Sequence, residues 1–229
     1  LLHCTVSQNS CPAGQAGGVL DTSTHGWGLS LTNSIVAGNT AATDPDLSGT
    51  EPVLRGNNLI AGDPMLSYPH NTGGDTEYLP PSPASPAVNA ALILPDTPAS
   101  DQRGRERVSG NTADLGAVEL KELLVDTLAD ENDGIETGGV SLRDAVAANT
   151  PQDADVIRFA SALNGGTILL THGVIAVLAD YSLYVDASDL TDGITVSGNH
   201  QSAVFNFLFS IATLRGLTVP RLLEQGGFE

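Results

Sequence analysis

Basic residues are scarce: nine Lys plus Arg stand against 27 Asp plus Glu, giving a formal charge of −18, and Lys121 is the sole lysine. Proteins that grip nucleic acid neutralise phosphates with Lys and Arg clusters, so this balance excludes a nucleic-acid partner. No stretch reaches the ~18 consecutive apolar residues of a membrane span, and no basic region followed by an apolar one opens the chain. The first residue is Leu1 rather than Met, so the sequence reads as a fragment whose targeting signal, if it has one, lies outside it. Aromatics make up only 4 %. Two cysteines are present, and the six residues between Cys4 and Cys11 match neither a zinc knuckle nor a redox C-x-x-C. A local disulfide and two free thiols both fit. His3, His25, His70, His172 and His200 form no i,i+4 pair and have no neighbouring Glu or Cys set, so no zinc site is expected. There is no G-x-S-x-G elbow, P-loop or dinucleotide fingerprint.

What is present is a folding composition. Hydrophobic residues reach 41 %, and 25 Gly with 13 Pro point to short strands and tight turns rather than a helical bundle. The charge is not a tail. Residues 1–120 carry four basic and twelve acidic groups (4 − 12 = −8), and residues 121–229 carry five and fifteen (5 − 15 = −10).

A repeat organises the chain. Thr5-Val6-Ser7-Gln8-Asn9, Ile35-Val36-Ala37-Gly38-Asn39, Leu59-Ile60-Ala61-Gly62-Asp63 and Thr195-Val196-Ser197-Gly198-Asn199 share two β-formers, a small residue, usually Gly, and then Asn or Asp. The first three copies begin 30 and 24 residues apart. A second plan links Val53-Leu54-Arg55-Gly56 with Thr213-Leu214-Arg215-Gly216. Each copy is a strand followed by a corner, because Gly, Asn and Asp tolerate the left-handed backbone of a sharp bend. Spacings in the twenties with no long helix between copies suit a solenoid and are too short for βαβ crossovers. The fold class expected is all-β, a right-handed parallel β-helix with apolar ladders inside and corner Asn residues bonded along the stack. A β-sandwich is the competing arrangement.

Solenoid ends need caps. Ser141 to Ala148 supplies a short helix: Ser141 and Asp144 have the form of a capping box, Leu142 and Val146 share one face, and Asn149 can end it. Strands at 156–159, 167–170, 182–185 and 194–196 follow, so the helix is expected to cover the opening coil of a second solenoid. The Pro-rich run from Leu79 to Pro98 cannot join a sheet interior and forms an irregular end segment.

Asp101-Gln102-Arg103-Gly104 with Arg107, followed by Asp114 to Glu119 and preceded by Ser85 to Ala90, resembles the choice-of-anchor Q domain that ends many secreted bacterial β-helix proteins. Leu115 stands where that domain commonly has Ile. Val140 to Val146, with the later Asp155 to Phe159, is similar to the CSLREA motif that begins such proteins, with Val140 in place of the leading Cys. The resemblance implies two regions: residues 1–119, the last coils and end segment of one β-helix unit, and residues 120–229, the cap and first coils of the next. End segment before start cap implies a junction inside a larger chain with neighbouring β-helix units. It also implies an extracellular or bacterial cell-surface location and a non-catalytic scaffold, adhesin-like or structural, with a polysaccharide or cell-surface ligand as partner.

The pectin-lyase-like class also contains lyases that use calcium and an Arg or Lys base, so a polysaccharide lyase or glycoside hydrolase is the alternative. Its candidates here are Arg55, Arg158 and Arg215, but no carboxylate cluster recurs beside them, and Arg55 and Arg215 occupy equivalent places in a repeated turn. Arg103, Arg105 and Arg107 with Asp101, Glu106 and Asp114 read as an ion-pair network pinning the end segment in preference to an anion site. Asp126, Asp130, Glu131, Asn132 and Asp133 before Gly134 form an oxygen-rich loop of the kind Ca²⁺ takes, without EF-hand spacing. The metal-ligand candidates are Asp126, Asp130, Asn132 and Asp133. Trp27 and Tyr68 are candidates for stacking on sugars.

Overall fold

The computed structural model describes residues 1–24, 28–67, 69, 76–110, 112–149, 155–177 and 182–220. The chain divides into two compact units, Leu1–Lys121 and Glu122–Glu229.

In the first unit, strands β1 (Thr5–Val6), β2 (Ser10–Gln15), β3 (Val19–Asp21) and β4 (Ser30–Thr32) make one coil. Strands β5 (Ile35–Val36), β6 (Thr40–Thr43), β7 (Leu47–Gly49) and β8 (Val53–Arg55) make the next, and β9 (Leu59–Ile60) starts another. Every strand pairs in parallel with its equivalent one coil on: β1-β5-β9, β2-β6, β3-β7 and β4-β8. Thr5 aligns with Ile35 and Ile35 with Leu59, so the 30- and 24-residue spacings are the coil lengths. The corner Asn residues do bond along the stack. Asn39 Oδ1 accepts from the Asn9 backbone N–H at 3.1 Å and from Asn9 Nδ2 at 2.9 Å. Asn39 in turn donates through its backbone N–H and Nδ2 to Asp46 Oδ1. Asp63, the third copy, leaves this ladder and accepts from Met65 N–H instead.

Alternate residues of a strand point to opposite faces. Val36 is fully buried, and on the other face of the same strand Ile35 packs against Ala87, Ala91, Ala113 and Leu115. The Pro-rich segment is therefore laid along the side of the β1-β5-β9 sheet. The stretch after it approaches as closely: Ala117 N–H donates to Thr5 Oγ1 at 3.0 Å, and a β-carbon on Gly116 would run into Thr5 and Ile35. Among the described residues from 61 to 121 pairing is confined to isolated antiparallel bridges, Leu66 to Pro81, Ser100 to Glu106 and Val108 to Ala113.

The second unit opens with β10 (Glu122–Val125) and α1 (Leu142–Ala148). Strands β11 (Val156–Phe159), β12 (Thr167–Leu169) and β13 (Ile175–Val177) form the next coil. Above it lie β14 (Ser182–Asp186), β15 (Ile194–Ser197), β16 (Phe205–Phe207), β17 (Ile211–Arg215) and β18 (Leu217–Thr218). Three parallel sheets result: β10-β11-β14-β17, β12-β15-β18 and β13-β16. Their inward residues stack in register, as in Leu123, Ile157, Val185 and Leu214, and in Ile168 and Val196. Most of these side chains are 4 % exposed or less. The expected parallel β-helix is the observed architecture.

The helix forms as its sequence dictates. Ser141 caps it by accepting from Asp144 N–H at 3.1 Å, while Asp144 Oδ2 accepts from the Ser141 hydroxyl at 2.7 Å. Leu142, Ala145 and Val146 bury one face in the coil core, and α1 packs on β10 and β13. Asn149 ends the helix in an extended conformation, its N–H donating to Ala145 O.

The repeated Val/Thr-Leu-Arg-Gly plan falls at the same structural place twice, on β8 and β17, the outermost rung of each stack. Gly56 and Gly216 turn the corner with φ of +62° and +65°. A side chain at either would collide with the rung beneath, at the Asn33 amide or the Ala187 backbone.

Candidate functional sites

The arginine-rich end segment is a pinned network. Asp101 Oδ1 accepts from the Arg103 and Arg105 backbone N–H groups, and Oδ2 accepts from Arg103 Nε at 2.8 Å and Glu119 N–H at 3.2 Å. Arg103 also donates to Glu119 O and lies over the Tyr78 ring, 5.4 Å from its centre. Arg107, 2 % exposed, donates to the carbonyls of Gly116 at 3.1 Å and Ala117 at 3.0 Å. Asp114 accepts from Asn89 and Leu120 N–H, and Glu119 from Ser109 and Asp114 N–H. These guanidinium and carboxylate groups fasten the chain to itself. Beside them runs an open groove of about 420 Å³ lined by His3, Cys4, Ser100, Asp101, Gln102 and Arg107. Cys4 and Cys11 are free thiols.

Burial lowers Arg107, and two further groups here shift into the range between about pH 4 and 8. Burial, followed by the neighbouring Asp114 charge, raises Glu119 to about 8 against the opposing pull of two amide donors and Arg107. Burial and the Arg107 charge lower His3 to about 4. A raised carboxyl contributes stability that is complete below its unfolded value of 4.5 and lost as pH rises through about 8. A depressed imidazole contributes stability that is complete above its unfolded value of 6.5 and lost as pH falls through about 4. Above 6.5 only the Glu119 contribution still changes. Denaturation midpoints should therefore fall between pH 6.5 and 8, with a slope of up to about 1.4 kcal/mol per pH unit. That slope should vanish in Glu119→Gln; an unchanged slope in the variant would refute the assignment.

The acidic loop between β10 and α1 divides its candidates. Asp126 closes the loop, accepting from Val140 N–H at 2.8 Å while its own N–H donates to Val140 O. Asp130, 8 % exposed, pairs with Arg143 and accepts from the Thr171 and His172 amides. Asn132 is exposed. Asp133 alone of the four joins an acidic group: Glu131, Asp133 and Asp144 offer carboxylate oxygens within 4.8 Å of one another, and Glu131 Oε2 is buried without a hydrogen-bond partner. Asp144 carried no metal signal in the sequence, since it stands eleven residues beyond Asp133 and is already accounted for as the helix cap. No His- or Cys-containing trio of this kind occurs among the described residues.

The three candidate bases are all paired. Arg55 bonds Asp96 at 3.0 Å. Contrary to the expectation that no carboxylate cluster stands beside these arginines, stacking of the coils brings three carboxylates, those of Glu122, Asp186 and Asp189, to 2.5, 3.9 and 2.9 Å from Arg158. Arg215 reaches Asp186 at 3.6 Å and the Tyr184 hydroxyl at 3.1 Å. In the register of the large sheet Arg158, Asp186 and Arg215 occupy one outward column, so charge alternates up the stack. Trp27, Tyr68, His25 and His70 lie outside the described residues. Among the described residues no helix is long and apolar enough to cross a membrane.

No protein-family model, curated protein or solved structure matches the chain.

Proposed function

We propose that the chain is a non-catalytic β-helix scaffold, an adhesin-like or extended interaction segment of a larger bacterial protein working outside the cell or on its surface. The outward column of paired charges carries the reading. A base that removes a proton from a sugar must be free to approach it, whereas Arg158 and Arg215 are engaged with carboxylates of adjacent rungs. Such contacts hold one coil to the next and leave an acidic outer surface that attracts cations. The location, the polysaccharide or cell-surface ligand and the neighbouring β-helix units rest on the likeness of the end segment to choice-of-anchor Q domains and of Val140 to Val146 to the CSLREA motif. A second reading, calcium support of the cap, is favoured by the partnerless Glu131 Oε2 beside Asp133 and Asp144.

One experiment tests both. The chain is incubated with pectate, alginate and chondroitin in calcium and in chelator, and product formation and melting midpoint are followed together. No turnover is expected, and the midpoint should rise with calcium in the wild type but not in Glu131→Gln. Turnover abolished by changing Arg158 or Arg215 would replace the scaffold with a lyase, and a midpoint indifferent to calcium would remove the metal from the cap.

A further inference from the structure

The end segment of the first unit buries more acid than base. Asp101, Asp114, Glu119 and Arg107 are 6 % exposed or less, and the Arg103 side chain is 5 % exposed. Three carboxylates against two guanidinium groups (2 − 3 = −1) leave one negative charge in excess. Arg105 is partly exposed and joins the group through its backbone N–H, given to Asp101. From the coil side His3 stands near Arg107, and its lowered value of about 4 keeps it neutral above that pH. Asp96, which also acts on His3, is paired with Arg55.

Hydrogen bonding shows where the excess charge falls. Arg103 is bonded to the Asp101 carboxylate, and Arg107 turns its N–H groups to the carbonyls of Gly116 and Ala117. Among the described residues Glu119 is bonded to no guanidinium; it accepts from the Ser109 amide at 2.9 Å and the Asp114 amide at 2.8 Å. A buried carboxylate without an ion pair is costly, and one proton removes the cost. Glu119 thereby closes a loop whose far side rests on the coil. Gly116 N–H donates to Asn33 O at 2.9 Å, Ala117 N–H donates to Thr5 Oγ1 at 3.0 Å, and Ala113 and Leu115 pack on Ile35.

We infer that residues 101–110 and 112–119 form a proton-operated strap: with a proton on Glu119 the strap lies against the coil, and loss of that proton lets it lift locally and uncover the Ile35 side of the β1-β5-β9 sheet. Burial and the Asp114 charge, which raise Glu119 to about 8, place the release between neutral and mildly alkaline pH. The closed strap favours the protonated carboxyl, so its hold is complete below the unfolded value of 4.5, weakens as pH rises and stops changing above about 8. The two amide donors and Arg107 favour the anion but are outweighed. Local opening of one segment while the rest of a unit stays folded is ordinary behaviour for a part held by a few hydrogen bonds.

Hydrogen exchange of the full chain at a series of pH values tests this, with each amide's rate compared to its intrinsic rate at that pH to give a protection factor. Between pH 6.5 and 8 the amides of Leu115, Gly116 and Ala117 should lose protection by up to about tenfold per pH unit, then level off. That of Ile35, bonded to Cys4 O in the coil at 2.8 Å, should not change. In Glu119→Gln the strap amides should be insensitive to pH over the same range. Infrared titration of the wild type in D₂O should show a protonated carboxyl band that survives above pH 6.5 and disappears near 8. Protection of the strap that ignores pH in the wild type would overturn the inference. So would an equal loss in strap and coil, which makes the proton a support of the whole unit. If Glu119→Gln does not fold, the wild-type infrared titration decides, and absence of the carboxyl band above pH 6.5 sinks the latch.

Discussion

Replacing Asp130 by Asn should remove about 3–5 kcal/mol from the stability of the second solenoid, more than any other single change in the cap. The carboxylate side chain is 1 % exposed and that of Arg143 11 %. Oδ1 accepts from Arg143 Nε at 2.7 Å, and Oδ2 accepts from Arg143 Nη2 at 3.1 Å, Thr171 N–H at 2.6 Å and His172 N–H at 2.8 Å. Arg143 continues to the carbonyls of Gly173 at 2.6 Å and Val174 at 3.2 Å. One ion pair thus ties together the loop before the helix, the helix itself and the turn between β12 and β13. Asparagine fits the space but has one acceptor oxygen. Whichever way its amide turns, its NH₂ faces a donor, and the guanidinium loses its counter-charge.

The pH dependence follows from the same geometry. Burial alone would raise the Asp130 carboxyl. The hydrogen bond from Arg143, the His172 and Thr171 amides and the Arg143 charge outweigh burial and hold it below its usual value. The contribution is therefore present above the unfolded value of 3.8 and lost as pH falls through the folded one. Urea denaturation of wild type and Asp130→Asn should show a gap that is wide at neutral pH and narrows in acid. The double change Asp130→Leu with Arg143→Met should cost less than either single change, since no charge is left stranded. A single-variant loss under about 1 kcal/mol would mean the pair behaves as a solvated surface bridge.

Legibility in the sequence followed the distance over which the signal had to act. The rungs were readable because a strand and its corner lie within five residues, as in Ile35 to Asn39, and recur at the coil length. The cap was readable because Ser141, Asp144, Leu142 and Val146 interact within one helical turn or its neighbour. The placement of the end segment was not. Prolines exclude it from a sheet but do not say which face it covers; that is decided by Ala87, Ala91, Ala113 and Leu115 packing on Ile35. The calcium candidates Asp126, Asp130, Asn132 and Asp133 group only by nearness in the chain. The fold separates them, giving Asp130 to Arg143 and drawing Asp133 toward Asp144. Asn33 carries little local signal because its partners lie up to 59 positions away. A faint sign was present: Thr32-Asn33-Ser34 precedes the second copy of the repeat as Gly56-Asn57-Asn58 precedes the third.

Asn33→Ala should open the end segment away from its solenoid. Asn33 is fully buried, with a left-handed φ of +48° that Asn tolerates better than most residues. Its Nδ2 donates to Leu92 O at 2.7 Å, and its Oδ1 accepts from the amides of Leu92 and Asn57, both at 3.1 Å. Its backbone oxygen accepts from Gly116 N–H at 2.9 Å. The same Nδ2 lies 3.1 Å from His3 Nε2, a contact that requires an unprotonated ring nitrogen and agrees with the depressed His3. Alanine strands Leu92 and Asn57 at once and places a β-branch-free but still disfavoured residue at positive φ. With about 0.5–1.5 kcal/mol for each of the three part-buried hydrogen bonds lost and the strain of alanine at positive φ, the loss should be about 2–3 kcal/mol. Asn33→Gly relieves the backbone while losing the same bonds, so it should recover only the smaller, conformational part. Hydrogen exchange separates a clamp from a general core defect: the amides of Leu92, Leu115 and Gly116 should exchange early while that of Ala37, bonded to Val6 O in the coil, stays protected. Equal loss of protection at all four would show that Asn33 supports the coil itself rather than fastening the end segment to it.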